Sequence, residues 1–68
     1  MKNRIKVIRA EKNLSQAELA KKAGIARATL INIEKDLTTP DGDTIAKLVK
    51  ALNTPAGEIF SALDVMHT

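Results

Sequence analysis

Cysteine is missing from the sequence, as are tryptophan and tyrosine; the one aromatic residue is Phe60, and the one histidine is His67. Without cysteine there is neither a disulfide framework nor a thiolate metal site. The shortage of aromatic residues in alternating runs argues against a sheet domain. With a single histidine next to the chain's last residue, no glycine-rich phosphate loop and no paired carboxylates at a cleft, the chemistry of an enzyme has nothing to rest on. Asp41 and Asp43 lie two apart and suit a helix start better than a metal. Apolar runs long enough to span a membrane are absent too. The first ten residues mix charged and apolar side chains and lack the apolar stretch of a signal peptide. The expectation is a soluble, intracellular protein, complete from its start, with no cofactor, metal or small-molecule ligand.

What is present is alanine, leucine, isoleucine, lysine and glutamate, a helix-forming composition, in a chain of 68 residues that holds one domain at most. A domain of this size buries only about 60% of its unfolded surface and is marginally stable. The net charge of +3 is unevenly spread. Residues 1–35 carry nine basic and three acidic side chains, whereas residues 36–68 carry two basic and five acidic ones. A basic half implies a polyanionic partner, and an ordinary solvated lysine face is the alternative.

Five helical segments are legible. The first spans about 2–12, with Ile5, Val7 and Ile8 forming its apolar side and Asn13 as its stop. Ser15 and Glu18 form a capping box at the head of the second, 16–23, and Gly24 ends it. A third covers 27–35. Thr39 and Pro40 read as cap and first position of the fourth, in which Ile45, Leu48, Val49 and Leu52 recur at amphipathic spacing before Asn53. Thr54 and Pro55 repeat the signal for a short fifth helix through about Phe60. The tail 61–68 is ambiguous, and the chain end can fray.

Within 16–35, two short helices flank a tight turn at Gly24. Two helices that cross steeply after so short a turn approach closely, so small Ala20 stands at the contact. Glycine supplies the positive φ that the turn demands. Leu19, Ala23, Ile25, Leu30 and Ile33 fill the wedge between the helices.

The stretch LSQAELAKKAGIARATLINIEKD resembles the helix-turn-helix of the lambda-repressor-like, Cro/C1-type (XRE) regulators, and the resemblance continues through KLVKALNTPAGEIF to cover nearly the whole chain. The pairs Ser15-Gln16, Leu19-Ala20, Gly24-Ile25, Thr29-Leu30 and Ile33-Glu34 carry it. It implies an all-α, compact five-helix DNA-binding domain spanning 1–68, with the helix-turn-helix at helices 2 and 3. It also implies a transcriptional regulator, most naturally a repressor, in a bacterial or phage cytoplasm and associated with the nucleoid. Gln16 then corresponds to a phosphate-contacting glutamine, its backbone N–H at the positive end of the helix. The third helix corresponds to the recognition helix of the major groove, with Arg27, Ala28, Thr29 and Asn32 facing bases. Arg27 suits guanine O6 and N7, Asn32 suits adenine N6 and N7, and Ala28 offers a methyl to thymine. Lys35, Thr38 and Thr39 are placed for phosphates. Arg9 and Glu34 match positions that form an internal ion pair.

Each role has a plainer alternative. Arg27 could reach only phosphate or solvent, Asn32 could lie on a solvated face, and Gln16 could simply cap its helix. Most of Lys2, Lys6, Lys21 and Lys22 are solvated charge, with one or two meeting the backbone. Ile31 faces away from the inner side and either covers a neighbour or touches DNA. The chain also departs from the family pattern: Ala26 replaces a capping serine or threonine, Ala28 a polar reader, Asp36 a terminating glycine, and Gly42-Asp43 an apolar residue. These departures bear on tightness and specificity rather than fold.

One module buries only about 600–1,000 Å² on DNA, so a homodimer on a two-fold operator is expected, joined through Ile59, Phe60, Leu63 and Val65. A second function class is open: an antitoxin-like module that binds a protein partner through its tail and autoregulates its own operon.

Overall fold

The computed structural model describes residues 2–60. Five helices follow in order: α1 (Ile5–Glu11), α2 (Gln16–Ala23), α3 (Arg27–Glu34), α4 (Gly42–Leu52) and α5 (Ala56–Ile59), with no strand among the described residues. The expected all-helical architecture is therefore observed.

Local chemistry explains most of the boundaries. At the head of α2, the Ser15 hydroxyl accepts the Glu18 N–H at 3.0 Å and the Glu18 carboxylate accepts the Ser15 N–H at 2.9 Å, a complete capping box. Asn13, Gly24, Asp36 and Asn53 end the first four helices with φ of 56°, 73°, 59° and 51°. Only this left-handed geometry turns the next N–H back onto the helix's last free carbonyls, and glycine and asparagine enter it most readily.

Three starts differ from the sequence reading. Residues 2–4 are not helical: the Arg4 N–H is drawn out to the Ile59 carbonyl at 2.7 Å, so α1 begins at Ile5. The head of α4 lies beyond Thr39 and Pro40, because the Asp41 carboxylate accepts the Thr44 N–H at 2.8 Å and brings negative charge to the positive helix end. Thr54 does not cap α5 either. Its hydroxyl donates to the Leu52 carbonyl at 2.9 Å and closes α4, leaving Pro55 as the residue before Ala56.

The core gathers Ile5 and Ile8 of α1, Leu19, Ala20 and Ala23 of α2, Leu30 and Ile33 of α3, Leu48, Ala51 and Leu52 of α4, and Ile59 and Phe60. Leu14, Ile25, Ile45 and Val49 pack on its edge. Central α2 takes α3 on one side and α4 on the other, and its small Ala20 and Ala23 make that double approach possible. Val7, expected on the apolar side of α1, is 49% exposed. Two residues past Ile5 is about 200° around a helix, the opposite face.

Ile59 and Phe60 require a larger correction. Expected at a dimer surface, both are fully buried within the single chain. The bond from Arg4 to the Ile59 carbonyl folds the end of α5 under the start of α1, where the one aromatic ring fills the floor of the core. Burying such a ring contributes about 2–3 kcal/mol, so Phe60 serves the core of the single chain. Leu63 and Val65 lie outside the described residues.

Candidate nucleic-acid interface

The candidate surface is built on the turn between α2 and α3. Gly24 holds φ of 73° and a Cβ there would meet nothing within 4 Å, so glycine is favoured by backbone conformation and not by space. The turn sets α3 against α2 through Leu30 and Ile33, both buried. The spacing of those two residues fixes what the other side of α3 presents. Arg27, Ala28, Thr29, Asn32 and Lys35 are all exposed, Ile31 is half-buried, and Thr38 and Thr39 are exposed in the connection to α4.

A polar network holds α3 in this pose. The Arg9 guanidinium reaches from α1 to Glu34 with a two-pronged contact, Nε to Oε2 at 2.8 Å and Nη2 to Oε1 at 3.0 Å. Its third arm donates to the Leu14 carbonyl at 3.0 Å. Arg9 thereby joins α1, the α1–α2 connection and α3, and its fork geometry suits a planar carboxylate. Gln16, the first residue of α2, is half-buried and donates to Glu34 Oε1 at 3.4 Å. That long bond uses one amide hydrogen and leaves the second for an anion at the helix start. Since Arg9 occupies Glu34, the acidic residue of α3 adds little negative potential to the exposed face, where Arg27 and Lys35 stand free of it.

Asn3 is a residue that sequence reasoning missed. Its amide donates to the Ile33 carbonyl at 2.7 Å and to Asp36 Oδ1 at 3.0 Å, while its oxygen accepts the Ile5 N–H at 3.1 Å. One side chain thus caps the end of α3 and the start of α1 together. It also explains how Asp36 serves where glycine is usual: its carboxylate is engaged by Asn3 as its backbone makes the left-handed turn. Only its bond to the Ile5 N–H is local; the two that tie it to α3 join residues 30 and 33 positions away, and no sequence pattern marks those.

At the other end of α3, Ala26 has the extended backbone of a cap but no side chain to bond with, so the departure from a capping hydroxyl is real. Elsewhere, hydrogen bonds shift two carboxylates. Glu18 lies below its ordinary pKa, first through the Ser15 N–H and then its hydroxyl. Asp41 is lowered likewise by Thr44. Among the described residues no group of acids or histidines is placed to hold a metal ion, and no helix is long and apolar enough to cross a membrane.

Comparison with known proteins agrees with this geometry. The sequence profile of the family described as "Helix-turn-helix" matches residues 5–59. An uncharacterised HTH-type transcriptional regulator of Methanocaldococcus jannaschii is 42% identical over 60 residues, covering 88% of this chain and 91% of that protein. Among solved structures, the restriction-modification controller protein C.AhdI of Aeromonas hydrophila superposes with a TM-score of 0.79 at 32% identity, over 84% of this chain and 86% of that one. The biofilm regulator SinR of Bacillus subtilis, solved in complex with DNA, gives a TM-score of 0.74 at 41% identity, over 78% and 86% of the two chains. With five helices among the described residues, a capped α2, a glycine turn and an α3 whose outer face is polar, the chain belongs to the Cro/C1-type helix-turn-helix family of DNA-binding transcriptional regulators, a family of regulators and not of enzymes.

Proposed function

We propose that this protein is a sequence-specific repressor that lays α3 in the major groove of double-stranded DNA. The observation that carries this reading is the division of α3 into two sides. Leu30 and Ile33 are buried and Glu34 is held by Arg9, while Arg27, Ala28, Thr29 and Asn32 stand exposed and free to meet base edges. Arg27 reads a guanine through O6 and N7, Asn32 an adenine through N6 and N7, and the Ala28 and Thr29 methyls fit thymine. Gln16, Lys35, Thr38 and Thr39 grip phosphates on either side. Repression follows from occupancy of a promoter, and the DNA-bound relative SinR supports the assignment of the partner.

The working unit is one DNA-binding domain that pairs with a second copy in the cytoplasm. The pair reads a two-fold operator whose half-sites lie about 34 Å apart. Because Ile59 and Phe60 lie in the core, the pairing surface falls to other residues, Leu63 and Val65 among them. Selection of bound sequences from a random DNA pool, read beside sedimentation of the free protein, tests the whole proposal. A two-fold consensus and a dimer support it. Arg27→Ala changes the preferred sequence, whereas Lys35→Ala weakens all sequences alike. Affinity falls as salt rises, since phosphate contacts release counterions. A flat salt response refutes DNA as the partner.

A further inference from the structure

Four helices end with the same backbone device. The residue after the left-handed position donates its N–H to a carbonyl five residues back: Leu14 to Arg9 at 2.9 Å, Ile25 to Ala20 at 3.0 Å, Leu37 to Asn32 at 2.9 Å and Thr54 to Val49 at 3.2 Å. An apolar residue at this place normally folds back on the helix it closes. Leu14 and Ile25 do so and pack on the core. Leu37 does not: it is 67% exposed. Closing a helix does not by itself require an apolar side chain, since Thr54 performs the same backbone role with a hydroxyl.

Leu37 is also held unusually firmly for an exposed residue. Its own N–H is tied to Asn32, and the turn before it is pinned by Asn3 on both the Ile33 carbonyl and the Asp36 carboxylate. The Leu37 backbone is therefore anchored, bonded to the main-chain carbonyl of the residue proposed to read adenine, and its isobutyl group stands in solvent. The exposed side chains around it in sequence, Asn32, Lys35, Thr38 and Thr39, are polar or cationic. The neighbouring acid, Asp36, is engaged by Asn3. This is no patch for a second protein copy, which needs a contiguous apolar centre within about 800 Å² per partner. A lone apolar group among polar side chains, with Lys35 near it and the adjacent Asp36 carboxylate bonded to the Asn3 amide, suits the major groove, whose apolar feature is the C5-methyl of thymine.

We propose that Leu37 is a specificity residue, docking on the methyl group of a thymine beside the base read by Asn32. The proposal rests on the DNA reading above. It extends the reading surface past the end of α3, into a position that the sequence pattern assigns to a loop.

The test uses the full chain and a duplex chosen from the random pool. Each thymine in turn is replaced by deoxyuridine, which removes the methyl and nothing else, and affinity is read by fluorescence anisotropy. Wild type should lose about fourfold at one thymine contacted by Leu37, the worth of one buried methyl. Leu37→Ala should lose at least as much on the parent duplex and become indifferent to that replacement. Arg27→Ala should keep the sensitivity. The melting temperature of Leu37→Ala should stay within about 2 °C of wild type, because the side chain is exposed. A Leu37→Ala protein that still loses about fourfold when that thymine becomes uracil, no weakening at all on the parent duplex, or a changed sedimentation coefficient each overturns the proposal. Failure of wild type to bind any duplex would instead refute the DNA reading itself. Arg27-dependent selectivity without Leu37 dependence removes this inference alone.

Discussion

Replacing Arg9 by methionine should be among the most damaging single changes outside the apolar core. The side chains of Arg9 and Glu34 are only 13% and 6% exposed. Methionine keeps most of the apolar stem but removes two charge-assisted hydrogen bonds to Glu34 and one to the Leu14 carbonyl. Glu34 is then left in place with the Gln16 amide at 3.4 Å as its partner. Stranding one member of such a pair costs about 3 kcal/mol, the lower end of the usual range because Arg9 retains an edge in water. For 68 residues the total stability is about 3–10 kcal/mol, so the loss is a large share of it. In a domain this small it lowers the melting temperature by about 12–24 °C. Circular dichroism during heating and in urea measures both values. The companion variant Arg9→Met with Glu34→Met should recover most of the loss, because a buried ion pair is worth little net and the penalty belongs to the unpaired charge. A shift under about 4 °C for the single variant, or a double variant no more stable than it, refutes the argument.

Ala26→Ser supplies the hydroxyl that α3 lacks, and should add about 1 kcal/mol, seen as a melting temperature higher by about 4–8 °C. Phe60→Ala should cost about 3–5 kcal/mol in urea unfolding; a loss under about 1 kcal/mol would refute the ring's place in the core. Asn3→Ala should cost about 1–2 kcal/mol in urea unfolding, and adding Asp36→Gly should return part of it, since glycine holds the left-handed turn without Asn3. Acid should weaken the protein in a defined direction. Glu18 and Asp41 are both lowered on folding by hydrogen bonds to Ser15 and Thr44, so their stabilisation is complete above the ordinary carboxylate pKa of about 4 and fades as pH falls through the lowered folded values. Melting curves from neutral to acid pH should show this loss, and Asp41→Asn should show less of it than wild type.

The helix-turn-helix was the most legible part of the chain because its determinants are local. The capping box of Ser15 and Glu18 spans one turn, Gly24 needs only its own φ, and the alternation of Leu30 and Ile33 with Arg27, Thr29 and Asn32 is set by helical period. The stops at Asn13 and Asn53 are local in the same sense. Arg9 and Glu34 were legible only through resemblance to a family, since nothing in their 25-residue separation reveals the contact.

What the sequence by itself determined was thus the set of helices, where most of them stop, and which side of α3 faces outward, because propensity, capping and periodicity act within about a turn of the chain. Tertiary structure decided the rest. Ile59 and Phe60 have the composition of either a core or an interface, and it took the packing of α5 on α4, with the bond from Arg4 to the Ile59 carbonyl, to bring them into the common core. The approach of residues 2–4 delivered Asn3 to the end of α3 and gave Asp36 a partner. Leu37 stayed in solvent for a related reason, whereas the exposure of Val7 follows from helical period alone. An apolar side chain is buried only where a second element arrives to cover it, and that arrival depends on segments far away along the chain.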